Sequence, residues 1–253
     1  MVEAATTISV QDMVSDSEWQ QRVDLAACYR LLAHYGWDDL VFTHNTARVP
    51  DTEHFLINPF GLKFNEVSAS SLVKIDCEGN KVMDSAYPIL QAGFIVHSAI
   101  HLGRDDAHCV MHTHTRAGCA VGAQEAGLLM INQKSMEFYN RLGYHDYEGI
   151  ADNFEERDRM AKNLGSHKAM IMRNHGLLSV GDNMAQAFGT MRRLHEACEI
   201  QLMAQAGGGA LTIPSPEICE HTACQFDNIG GLNETAWAAE LRMLDCIDPS
   251  FRD

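Results

Sequence analysis

The segment Cys109-Val110-Met111-His112-Thr113-His114-Thr115 most restricts what this chain can become. Its apolar first half reads as a buried strand. Residues i and i+2 of a strand project from the same face, so His112 and His114 can aim their imidazoles into one space. Two imidazoles on a rigid strand are half of a site for a borderline cation such as zinc, manganese or iron. Taken alone, the pattern fits a His-Thr-His strand facing solvent equally well. A second stretch shifts the balance. Asn174-His175-Gly176 follows the apolar run Ala169-Met170-Ile171-Met172, which puts His175 at the end of another strand. Three histidines at the ends of buried strands would supply three protein ligands and leave an open position, as catalytic metal sites require.

Composition limits the alternatives. The chain has 253 residues, 46% of them apolar, enough for one large domain or two small ones with a sizeable core. No apolar run approaches a membrane span, and the N-terminus lacks a basic stretch followed by an apolar one. A soluble, cytoplasmic protein without a membrane partner is expected. The net charge of -15 disfavours nucleic acid, whose phosphates would be repelled. It leaves an anionic small-molecule substrate open, because Lys74, Arg48, Arg116 and Arg173 fall close to the motifs. The eight cysteines are scattered, mostly in apolar context, and read as buried thiols of a reducing compartment. Cys219 and Cys224 flank His221, but no second pair completes a zinc clip.

Along the chain, residues 1–16 read as an N-terminal tail and 17–253 as one domain with a C-terminal helical extension. Ser17-Glu18-Trp19-Gln20 has the form of a capping box and predicts a helix to Tyr35, stopped by Gly36. Strands are predicted at 40–43, 47–49, 54–57, 73–76, 128–131 and 177–180, besides the two carrying histidines. Helices are predicted at 90–102, 117–123, 155–164, 184–206 and 234–245, with Asp182 capping the longest and a proline-bearing loop at 211–217. This pattern predicts a three-layer α/β/α domain around a mixed, largely antiparallel sheet.

Six motifs then occur in order: Gly36-Trp37-Asp38-Asp39, Thr43-His44-Asn45, Phe55-Leu56-Ile57-Asn58-Pro59-Phe60-Gly61, His97-Ser98-Ala99-Ile100-His101, His112-Thr113-His114 and Asn174-His175-Gly176. Together they resemble the class II aldolase/adducin N-terminal domain family, from about Trp19 to Met203 and again near Trp237. The resemblance implies the same three-layer fold, a homo-oligomer with a tetramer favoured, and one divalent metal ion per subunit held by His112, His114 and His175. It implies Lewis-acid chemistry, in which the ion polarises the substrate and stabilises an enediolate as a carbon–carbon bond breaks.

The chain departs from the aldolases of that family. Their glutamate ligand and base falls here on Gly93, and the phosphate-binding serines before it on Gln91 and Ala92. Both changes argue against a sugar phosphate. They favour a chelating oxo or hydroxy acid or an aromatic carboxylic acid, hence a carbon–carbon lyase of aldolase or decarboxylase type. A non-haem Fe(II) oxygenase on the same histidines is the alternative, and a non-catalytic adducin-like interaction module a third. Thr43, His44, Asn45, Gly61, Gly93 and Arg116 are expected at the substrate. Arg116 could pair with a carboxylate; it could equally be a solvated surface arginine. His97 and His101 share a helix face; His97 is a candidate acid or base, against a core histidine bonded to backbone. Tyr144 or Tyr147 takes the place of a proton-donating tyrosine, and Glu148 is a candidate for the missing base; the bland reading of both is a polar loop.

Overall fold

The computed structural model describes residues 9–149 and 155–253. Ser9 caps a four-residue helix, α1 (Val10–Met13), and Ser15 caps α2 (Asp16–Tyr35), its hydroxyl accepting from the Glu18 amide at 3.2 Å. The predicted cap at Ser17 is therefore two residues late, and the predicted tail is helical from Val10. Residues 1–8 of that tail lie outside the described residues. The Glu18 carboxylate does not turn back to the cap. It enters the protein and accepts from Arg22 Nε at 3.0 Å and Lys74 Nζ at 2.7 Å. Gly36 ends α2 in the left-handed conformation, φ 69°, as the glycine predicts.

The remaining elements are β1 (His44–Arg48), β2 (Phe55–Ile57), β3 (Val73–Ile75), α3 (Gln91–Gly103), β4 (Cys109–Thr113), α4 (Arg116–Gly122), α5 (Gln133–Met136), β5 (Leu142–His145), α6 (Glu156–Leu164), β6 (Ala169–Met172), β7 (Gly176–Gly181), α7 (Met184–Ala206), α8 (Pro216–Asn228) and α9 (Leu232–Ile247). Seven strands form one sheet in the order β3-β2-β1-β4-β7-β6-β5. All pairs are antiparallel except β5 with β6. Helices cover both faces, giving the expected three-layer α/β/α architecture with a mixed sheet.

Strand alternation sorts the core. Cys109 and Met111 of β4 pack with Leu25, Cys28, Met191 and Leu194 of α2 and α7. Val110 packs on the other face with Ala99 and Ile100 of α3 and with Met160 and Leu164 of α6. His112 shares the parity of Val110 and so points to the α3 side. In β1, His44 pairs with His112 and Thr46 with Val110, which places both on that same side.

Several predicted elements moved. The strand expected at 40–43 is a single bridge, Asp39 to Phe42, because Leu40 and Thr43 hold φ 55° and 63°. Residues 128–131 are irregular, though apolar. The Leu128 amide donates to the Tyr144 hydroxyl and the Leu129 amide to Gln201 Oε1, so side chains replace a ladder there. Tyr144, a candidate proton donor whose bland reading is a polar loop, lies on β5. Asn183, not Asp182, caps α7, accepting from the Gln186 amide at 3.0 Å. Pro214 and Pro216 predict a loop over 211–217, but Pro216 is the first residue of α8, where its missing N–H costs nothing. All eight cysteines are unpaired; Cys28, Cys109, Cys198 and Cys219 are buried as expected, while Cys224 and Cys246 are exposed.

Candidate metal centre

Thr113 ends β4, and Thr115 caps α4 by accepting from the Gly118 amide. His114 sits between, at the junction of strand and helix. His175 lies in the three-residue turn joining β6 and β7, where Met172 pairs with Gly176. Asn174 takes φ 54° there, which asparagine tolerates. A Cβ on Gly176 would stand 2.3 Å from the Thr113 carbonyl oxygen and 3.2 and 3.3 Å from the His114 and His112 rings. The glycine is what lets the hairpin turn lie against the end of β4.

The ligating atoms of His112, His114 and His175 lie within 4.8 Å of one another. Among the described residues this is the cluster of His, Cys, Asp and Glu side chains close enough to share an ion. Hydrogen bonds fix two of the tautomers. The Leu177 carbonyl accepts from His112 Nδ1–H at 3.0 Å, and Asp39 Oδ2 accepts from His114 Nδ1–H at 3.0 Å. Both Nε2 atoms are then lone-pair acceptors, yet they face each other at 3.0 Å. Two lone pairs so placed repel unless a cation lies between them. A proton would serve two imidazoles but not the third. Two nitrogens about 2.1 Å from one ion and at right angles stand about 3 Å apart. The residues present thus fit a divalent metal.

Burial favours the neutral form of two of the ligands, His112 and His175. His112 is pushed well below the ordinary histidine range by desolvation, then by His175, His44 and His114 around it. His175 is lowered to about 4 by desolvation, then by His114 and His145. Neutral imidazole is the form that ligates.

Asp39 closes the Gly36–Asp39 motif, but 75 residues separate it from His114 and no local pattern joins the two. Its carboxylate orients the ligand and raises its basicity. It also returns negative charge to a centre that three neutral imidazoles would leave uncompensated. Asp39→Asn is expected to weaken zinc binding about 10- to 100-fold with the fold intact, read by competition with a chromophoric chelator.

The other expected site residues divide. Thr43, His44 and Asn45 adjoin the centre: the His44 ring is 5.3 Å from that of His112, and Asn45 Oδ1 accepts from the His112 amide at 3.3 Å. Each carries a buried polar atom without a partner, namely Thr43 Oγ1, His44 Nδ1 and Asn45 Nδ2. Thr43 holds φ 63°, a left-handed conformation that costs a β-branched residue of order 1–3 kcal/mol. His44 is lowered to about 3, chiefly by desolvation. Gly61 is exposed in the turn after β2 and needs its glycine for φ 104°; Asn58, in the same motif, accepts from Tyr29, which also holds the Asn45 backbone.

Gly93 corrects an expectation. A Cβ there would lie 2.4 Å from His44 Cδ2 and 2.9 Å from its Nε2. The space into which an aldolase glutamate would extend is taken by His44, so Gly93 does not simply leave a position open. Gly93→Glu cannot refill the centre while His44 stays. Gly93→Ala is expected to displace the His44 ring and lower the melting temperature, whereas His44→Ala/Gly93→Ala restores it; thermal unfolding of the three proteins checks this.

His97 is not beside the three ligands. It stands behind His44, ring centroids 4.5 Å apart, bonded to Thr46, so a direct acid or base role is not supported. Tyr144 is committed to the core: its hydroxyl accepts from Leu128, and Arg173 stacks on its ring at 4.5 Å. Tyr147 is the tyrosine at the centre, its ring 6.1 Å from that of His175 and 52% exposed. Glu148 lines one cavity with Tyr147 and His175. Arg159 donates to Glu148 at 2.8 Å and lowers its pKa, holding it as a paired carboxylate. Lys74 is bound to Glu18, Arg48 donates to the His101 carbonyl, and Arg173 to the Gln124 carbonyl. Arg116 is exposed and lines a cavity of about 550 Å³ with His114, Asp38, Asp39, His195 and Glu199.

Residues 23–202 match the family described as Class II Aldolase and Adducin N-terminal domain, and the chain belongs to that family. A Pseudomonas aeruginosa protein named after the class 2 aldolases is 51% identical over 251 residues, with 96% of each chain covered. Alpha-adducin of Rattus norvegicus is 47% identical over 194 residues, which are 74% of this chain and 26% of the adducin. A crystal structure of an aldolase II superfamily protein from Pseudomonas syringae superposes with a TM-score of 0.93 at 46% identity, covering 97% of this chain and 100% of that one. L-fuculose 1-phosphate aldolase from Glaciozyma antarctica gives 0.83 at 26% identity, covering 99% and 97%.

Proposed function

We propose that this protein is a divalent-metal-dependent carbon–carbon lyase acting on a small unphosphorylated hydroxy or oxo acid or an aromatic carboxylic acid. The observation that carries the reading is the pair of Nε2 lone pairs of His112 and His114, 3.0 Å apart with His175 converging on them. When bound there, zinc, manganese or iron supplies Lewis-acid polarisation and takes up the negative charge that develops as carbon dioxide or an aldehyde departs. The three histidines hold the ion, and Asp39 orients His114. Thr43, His44 and Asn45 adjoin the centre and each carries a buried polar atom without a partner, which makes them the candidate residues to contact a bound ligand. Tyr147 is the candidate to return a proton to the product carbon. Arg116 is the candidate partner of the carboxylate. The same reading makes the protein a cytoplasmic homo-oligomer, tetramer favoured; Leu40 and Phe42, 64% and 45% exposed beside Thr43, are apolar surface for a neighbouring subunit.

Protein loaded with zinc, manganese or iron, incubated with hydroxy, oxo and aromatic acids, is expected to release carbon dioxide or an aldehyde without oxygen uptake. Oxygen uptake with iron but not manganese would replace the lyase with an Fe(II) oxygenase. The identity to alpha-adducin favours a second reading, a binding module without catalysis. Metal-free protein that binds actin and shows no turnover when loaded would establish it.

A further inference from the structure

Helix α7 meets the segment around His114 through one stripe of buried side chains, Phe188, Met191 and His195, spaced at three and four residues. Met191 Sδ accepts from Thr113 Oγ1 at 3.4 Å, and His195 Nδ1 lies 3.0 Å from Thr115 Oγ1. These two threonines flank His114, which stands beyond the end of β4 and has no ladder partner of its own. Phe188 and His195 also pack on Trp37, with ring centroids 6.0 and 4.7 Å away. Trp37 precedes by two residues Asp39, whose carboxylate accepts from His114 Nδ1–H. His195 therefore touches the chain on both sides of the His114–Asp39 bond. Asp39, His114, Thr115 and His195 line one cavity together.

The hydrogens of this contact can be placed. Burial lowers the His195 pKa more than Glu199 and Glu196 raise it, so the ring is neutral. Glu199 Oε1 lies 3.3 Å from His195 Nε2, and a carboxylate only accepts, which puts the imidazole hydrogen on Nε2. Nδ1 is then an acceptor, and Thr115 Oγ1 donates to it. The same oxygen accepts from the Gly118 amide as the cap of α4. Both roles of the Thr115 hydroxyl are thus used, and the turn that carries His114 is tied to α7.

We propose that His195 is a positioning residue of the metal centre: by joining Thr115 to the Trp37–Asp39 segment it holds the His114–Asp39 pair in ligating geometry. The inference rests on the metal-dependent reading above and adds a residue to it that lies outside the three ligands and Asp39.

Zinc affinity, measured by competition with a chromophoric chelator, tests it. His195→Gln keeps a polar, helix-compatible side chain but loses the Nδ1 acceptor and the ring on Trp37, and should weaken zinc about tenfold. Asp39→Asn/His195→Gln should bind only about twofold more weakly than Asp39→Asn, because both substitutions act on one bond. His195→Asn places an amide near the position of Nδ1 and should lose less than His195→Gln. A merely structural role would lower the melting temperature and leave the two affinity losses multiplicative. Multiplicative losses, or unchanged affinity in His195→Gln, overturn the inference. Failure of wild type to take up zinc overturns the metal-dependent reading instead. Nitrogen-15 imidazole spectra of metal-free protein then decide the positioning role: the His114 hydrogen should sit on Nδ1 in wild type and be shared between both nitrogens in His195→Gln, and identical spectra overturn it.

Discussion

Metal-free protein is expected to lose roughly 2 kcal/mol of stability for each of His44 and His101 between neutral pH and pH 5. Both are lowered to about 3, first by desolvation. In the unfolded chain the same side chains take up a proton near pH 6.5. Between those values the unfolded state binds more protons than the folded one, so stability falls as pH falls. Above about pH 6.5 both states are neutral and the contribution vanishes. His97 and His112 are displaced in the same direction and add to the slope. Against a total stability of about 5–15 kcal/mol, the combined loss places acid unfolding near pH 5. Urea midpoints measured at pH 7.5, 6 and 5 check this. A flat profile across that range would mean that water reaches these imidazoles or that a partner charge compensates them.

Glu18→Ala is expected to destabilise the fold by about 3–5 kcal/mol, although Glu18 lies far along the chain from every ligand. Arg22 is fully buried and Glu18 is 4% exposed. The guanidinium donates to Glu18 and to the Ala69 and Leu72 carbonyls, and Lys74 joins the same carboxylate. Together these bonds tie α2 to the segment that leads into β3. Removing the carboxylate leaves a buried guanidinium with carbonyls alone and an ammonium nearby. Glu18→Gln should lose less, because the amide oxygen still accepts. Guanidinium denaturation of the three proteins measures the difference; a loss below 1 kcal/mol for Glu18→Ala would show that the buried charge is solvated in some other way.

How far the sequence disclosed this molecule depended on whether the signal was local. The His-x-His spacing, the Asn-His-Gly motif and the Gly36 cap are local signals; Gly36 caps α2 as expected, while β4 ends at Thr113, one residue before His114, and His175, expected at a strand end, lies in the turn between β6 and β7. The sheet order is not local, so Asp39 could not be joined to His114 from spacing. The Leu128–Ile131 run was apolar because it is packed, not because it is paired, and the side-chain hydroxyl and amide that hold its backbone lie far off in sequence. Tyr144 and Tyr147 are equivalent as letters; a parallel pairing of β5 with β6 sends one into the core and leaves the other at the centre. Gly93 was legible as a missing carboxylate, while the imidazole that takes its space came from β1, 49 positions earlier, and was invisible until the strands were placed.

Metal analysis of the purified protein and of a His112→Ala/His114→Ala variant tests the central claim most directly. Each wild-type chain should carry one divalent ion after loading and dialysis, and the doubly substituted chain, folded by circular dichroism, should carry none. Equal metal content in the two proteins would contradict the three-histidine centre.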